Sequence, residues 1–116
     1  FSNLSGMSCS ECIISLIGLV GACKEAERMA WEKKWDSVKA IQKGIEGTVE
    51  RLYKHGCIKQ ETYKELSRCV KALEDAIKQE DMPFTIVFLE AIRSRGARLA
   101  AYDVKEACVR SKLSHI

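Results

Sequence analysis

Apolar and polar positions alternate with helical spacing along almost the whole chain. Ser8 or Ser10 can cap a first helix whose opening turn carries Glu11, favourable to the helix dipole. From Cys12 to Cys23 (CIISLIGLVGAC) this helix is apolar on nearly all sides, the pattern of a central, mostly buried helix. It continues in amphipathic form through Ala26, Met29, Ala30 and Trp31, with Lys24, Glu25, Glu27, Arg28, Glu32 and Lys33 on the wet side. In the second helix Val38, Ile41, Ile45, Thr48 or Val49, and Leu52 step by three and four, with Asp36 or Ser37 as cap and Gly56 as stop. Gly44 and Gly47 fall inside it and each costs up to about 1 kcal/mol relative to alanine, which predicts close approach by another helix.

A connection at His55 to Lys59 leads to a third helix, with Tyr63, Leu66, Val70, Leu73 and Ile77 inward and Lys64, Glu65, Lys71, Glu74, Asp75 and Lys78 in solvent. Asp81-Met82-Pro83 ends it and starts a fourth, because proline fits a first helical turn and disfavours helix in the residue before it. Phe84 to Leu89 could be a strand by composition. No second such run exists to pair with it, so it reads as a helix that runs to Gly96. Ala97 to Leu113 is a last amphipathic helix. The expected fold is all-α, a single compact bundle of four to five helices over residues 8–116, preceded by an arm, 1–7, that could be a cloning remnant with Met7 as the natural start.

Composition narrows the class without naming a function. The 116 residues are 47% hydrophobic and 30% charged, enough for one ordinary core and too apolar for disorder. The net charge of +3 is too small to imply nucleic acid by itself, and residues 83–116 are the most basic part. The Cys12 to Cys23 run is too short to span a bilayer, which needs about 20 apolar residues. No Lys or Arg precedes it, as a signal would require, so no membrane partner is expected. Val20-Gly21-Ala22-Cys23 resembles the cleavage box of bacterial lipoproteins, without the basic segment that normally comes first.

Six cysteines, Cys9, Cys12, Cys23, Cys57, Cys69 and Cys108, leave three readings open. A disulfide framework requires an oxidising compartment or a hyperthermophilic cytosol. Cys9-Ser-Glu-Cys12 resembles the start of saposin-like proteins, which also use six cysteines, and the Cys57 to Cys69 interval is near theirs; Cys23 and the isolated Cys108 depart from that pattern. A metal site is the second reading, with Cys9 and Cys12 as one thiolate edge and His55 with Cys57 as a second. In the third, Cys23, Cys69 and Cys108 are small core hydrophobes on apolar helix faces, and this is the reading preferred for those three.

Acid–base machinery is sparse, with His55 and His115 the two histidines. Arg110-Ser-Lys-Leu-Ser-His115 resembles the Arg-x4-6-His motif of HEPN ribonucleases, an all-helical family. That resemblance implies that Arg110 stabilises phosphate and His115 transfers a proton at a dimer interface. Asp103 to Ser111 resembles the opening of a bacterial helix-turn-helix unit, but lacks the turn glycine and room for a recognition helix. What remains is a basic set, Arg93, Arg95, Arg98, Lys105, Arg110, Lys112 and His115, as the candidate nucleic-acid contact of an alternative reading. Glu46 with Glu50, Glu61 with Glu65, and Glu74 with Asp75 read as surface charge.

The expected function is therefore a small protein–protein interaction or assembly module, self-associating, cytoplasmic and without cofactor or catalytic set. The partner is a second copy or another protein. Its positive sign is the apolar excess in Ile13 to Val20 and Phe84 to Leu89, more than one stripe each. Taken separately, each run reads as core; if both are apolar all round, a homodimer interface becomes attractive.

Overall fold

Ser8 starts the first helix with a full capping box: its hydroxyl accepts from the Glu11 amide at 3.1 Å, while the Glu11 carboxylate reaches back to the Ser8 amide at 3.3 Å. In the computed structural model, which describes residues 6–113, this helix is α1, Cys9–Trp31. It is followed by α2, Trp35–Lys54; α3, Gln60–Lys78; α4, Met82–Ala91; and α5, Ala97–Leu113. Residues 1–5 of the expected arm lie outside the described residues, whereas Met7 packs against the core.

Three of the helices stop in the same way. At Gly56 (φ 77°) the Cys57 amide donates to the Leu52 carbonyl at 2.8 Å and the Gly56 amide to Tyr53 at 3.1 Å, the Schellman pattern. Lys33 (φ 58°) and Glu80 (φ 51°) close α1 and α3 with the same pair of bonds, although neither is a glycine. Glycine therefore marks one stop of three. The expected Asp36 or Ser37 cap is displaced too: α2 begins at Trp35, with Lys34 at the cap position and Asp36 in the first turn. Asp81 caps α4 as its sequence implies, accepting from the Phe84 amide at 3.2 Å, with Pro83 in the first turn.

The expected break at Gly96 is not a break. A π-helical turn, Ile92–Gly96, joins α4 to α5 into one continuous rod, so the described residues form four rods. Gly96 sits directly against α3, where an added Cβ would lie 2.6 Å from Leu66 Cδ2. The turn also places Arg93 over α1, where its guanidinium donates to the Glu27 carboxylate at 2.7 Å. Close approach belongs to Gly96 and not to the helical glycines expected to show it. Gly44 has nothing within 4 Å of its Cβ position, and Gly47 has the Arg51 guanidinium at 3.8 Å.

The rods form an elongated bundle of 51 × 21 × 19 Å, with α1 packed on α2, α4 and α5, and α3 on α2 and α4. Leu19, Cys23 and Ala26 of α1 meet Val38, Ile45 and Leu52 of α2, Leu66 and Leu73 of α3, Leu89 of α4 and Val104 of α5 in one core. Asp103 is buried among them, and its Oδ2 accepts from the Lys59 amide at 2.9 Å. A carboxylate on α5 thus caps α3, which has no side-chain cap of its own.

Cysteine chemistry settles on one of the three readings for four of the thiols. Cys9 bonds Cys108, with Cα atoms 5.4 Å apart, and Cys12 bonds Cys57, at 5.9 Å. Cys9 and Cys12 consequently do not offer a shared thiolate edge, nor does Cys57, and Cys108 is a cross-link rather than a free core thiol. Cys23 is a free thiol in the core, and Cys69 a half-buried one. Disulfides persist in oxidising compartments and are rare in a reducing cytosol, so the cytoplasmic expectation finds no support here.

Candidate interaction surface

Helix α1 lies on the outside of the bundle, with Cys12, Leu19, Cys23, Ala26 and Ala30 inward. Residues at three- and four-residue steps on its other side, Ser10, Ile14, Ile17, Gly18 and Gly21, all face solvent. Ile14 and Ile17 are each 66% exposed and Ile13 is 44% exposed. The mostly buried helix expected for this run is thus buried on one side only. The reason is topological, because neighbours cover α1 on one flank and none of the described residues covers the other. The Phe84 to Leu89 run behaves similarly: Thr85 and Leu89 are buried while Phe84 and Val87 are exposed.

The apolar face of α1 continues sideways into a shallow groove against α5. Its first part, about 430 Å³, lies along Ile13, Leu16, Ala101, Val104 and Val109, beside the Cys9–Cys108 bridge. Its second, about 380 Å³, runs along Leu16, Ile17, Val20, Ala97 and Ala101 toward the π turn. Leu16 and Ala101 belong to both parts, so the groove is continuous. Arg98 and Lys105 stand at its edge.

Ion pairing divides the basic set. Arg93 pairs with Glu27, Arg95 approaches Glu65 at 3.6 Å, and Arg110 pairs with Glu106 at 3.2 Å, each within the protein. Glu106 also accepts from Lys59 Nζ at 2.9 Å, a bond that holds its carboxyl below the usual range and raises the lysine. Arg98 and Lys105 are exposed on α5, the helix that also carries Lys112. His115 lies outside the described residues, so its geometry relative to Arg110 is not defined.

Elsewhere, Tyr53 and Tyr63 stack with ring centroids 4.2 Å apart, and the Tyr63 hydroxyl donates to Glu50 at 2.7 Å. That bond raises the Tyr63 pKa and fixes one of the carboxylates read as surface charge. Burial pushes the Cys23 thiol up to about 12, with Glu27 adding to the effect and Arg93 opposing it, so this thiol is not an activated nucleophile. Among the described residues no group of three or more His, Cys, Asp or Glu is placed to hold a metal ion. No described helix is long and apolar enough to cross a membrane.

No protein-family model, curated protein or solved structure matches the chain. Its chemistry therefore rests on its own residues. Sequence reading singled out the apolar run but not the side of α1 that is bare. The available signal was the placement of Gly18 and Gly21 one turn from Ile14 and Ile17, where a central helix would carry larger side chains.

Proposed function

We propose that the protein is a helical interaction module that self-associates through the outer face of α1. The observation that carries this reading is the exposure of Ile13, Ile14 and Ile17 on one continuous apolar surface that extends into the α1–α5 groove. Aliphatic side chains gain roughly 1.5–3 kcal/mol each when fully removed from water, so covering this face is strongly favoured.

A second copy of the chain suits the face because it carries both projections and recesses. Ile14 and Ile17 project, while Gly18 and Gly21 have no described residue within 4 Å of their Cβ positions and let another helix backbone come close. A two-fold contact between identical faces sets projections against recesses on both sides. Catalysis has no comparable support, and the pairing of Arg93 and Arg110 with internal carboxylates lowers the concentration of free charge that nucleic-acid contact would use. The two disulfides favour action in a non-reducing compartment.

Sedimentation equilibrium tests the reading. The unmodified protein should associate reversibly with rising concentration, and the Ile14→Asp/Ile17→Asp variant should remain monomeric with an unchanged far-ultraviolet spectrum and melting temperature. A protein that stays monomeric at high concentration, or a variant that associates as strongly as the parent, would overturn it.

A further inference from the structure

Helices α2 and α3 line a recess of about 230 Å³ that shares no residue with the α1 face, formed by Lys39, Gln42, Lys43, Glu74, Ile77 and Lys78. Two features set it apart from an ordinary solvated helix seam. Gln42 is only 2% exposed, and its amide nitrogen is buried without a hydrogen-bond partner among the described residues. Leaving such a donor unpaired is costly, and an apolar residue of similar size would avoid that cost. The second feature is charge. Lys39 and Lys43 stand one turn apart on α2, a repulsive spacing, and Lys78 reaches the same recess from α3. Glu74, the one carboxylate among the described lining residues, lies 3.6 Å from Lys78 and 3.9 Å from Lys71, at the outer limit of ion pairing.

We infer that this recess is a binding site for a phosphate group, held by Lys39, Lys43 and Lys78 and by the amide of Gln42. A phosphate supplies what the site lacks: negative charge against the lysines and acceptor oxygens for the unsatisfied amide. Lysine serves phosphate as a point charge on a flexible stem, which suits a recess open to solvent on one side. Ile77 and the lysine stems form the apolar wall, so a monoester with a small apolar body fits as well as the free ion.

The test is titration of the folded, disulfide-bonded protein with inorganic phosphate and, separately, with phenyl phosphate, at ionic strength held constant with sodium chloride. The Gln42 side-chain amide and the Lys39 and Lys43 backbone amides are followed by NMR. Saturable shifts confined to this recess are expected, and tighter binding of phenyl phosphate would place an ester's apolar body on Ile77. Lys39→Gln/Lys43→Gln should weaken binding by about tenfold or more, given the worth of hydrogen bonds to charged groups. Gln42→Leu should raise the melting temperature of the unliganded protein while removing the additional rise that phosphate gives the parent. Shifts that fail to saturate, or a phosphate-induced rise in melting temperature that persists in both variants, would overturn the proposal. The α1 face is untouched by these changes, so this result is independent of the self-association experiment.

Discussion

Helices α1 and α3 have nearly the same length and opposite characters. In α3 the buried positions Thr62, Leu66, Val70, Leu73, Ala76 and Ile77 make one stripe, and Lys64, Arg68, Lys71, Asp75 and Lys78 occupy the exposed side. In the first half of α1 aliphatic residues stand on both sides, although the core uses only one. Helix α3 is held by its stripe and by polar contacts, with no cross-link among its described residues, whereas α1 is fastened by two disulfides and still carries apolar residues into solvent. Both helices bury one stripe, and they differ in what stands opposite it: charge on α3, aliphatic side chains on the first half of α1.

The strongest way to break this contrast is to cut the fastenings of α1. Cys12→Ser/Cys57→Ser opens a bridge spanning 45 residues, and loop-closure entropy gives a loss of about 4 kcal/mol, measurable by urea unfolding. Next comes the packing of the π turn on α3. Gly96→Ala would bring a methyl group into buried Leu66, costing about 1–3 kcal/mol offset by up to about 1 kcal/mol of helix propensity, with a lower thermal midpoint as the readout.

Alkaline pH sharpens the picture of the α1 core. Unfolded, the Cys23 thiol ionises near its ordinary value of 9.0; folded, it stays protonated up to about 12. The unfolded state therefore holds fewer protons in this window. Stability from this group is complete below pH 9 and falls as pH rises toward 12, by about 1.4 kcal/mol per unit. Subtracting the same curve for Cys23→Ala should isolate that slope, and parallel curves would show that Cys23 does not cause it.

The smallest expected effect is on the outer face itself. Gly18→Ala meets no neighbour and should stabilise the monomer by up to about 1 kcal/mol, while weakening self-association by filling a recess. A Gly18→Ala protein that is more stable and associates equally well would place the contact elsewhere on α1.

The helices themselves were legible because periodicity is local. Val38 to Leu52 and Tyr63 to Ile77 advertise one face each, and Asp81 with Pro83 marks a start whose chemistry lies within four residues. The joining of α4 to α5 was hidden, since Gly96 reads as a stop when alone and as a contact only once Leu66 is opposite it. Lys33 and Glu80 terminate helices in a backbone conformation that their residue types disfavour, so no local signal marks them. The bare side of α1 depends on which flanks other rods cover, and the cysteine pairings on rods brought together from 45 and 99 residues apart. Gln42 falls in the buried stripe by spacing alone, four residues after Val38 and three before Ile45, but whether its amide finds a partner among the described residues depends on how α3 packs on α2.

The Cys9–Cys108 bridge has one more consequence, for a cut chain. Any single peptide bond broken between those residues leaves Cys9 on one fragment and Cys108 on the other, still covalently joined. A protease that finds the turn at Glu80 would thus yield a particle of undiminished mass on a non-reducing gel, resolving into two pieces only when reductant is added. The covalent framework is in effect two fused rings, and one nick at Glu80 opens the larger without dividing the molecule.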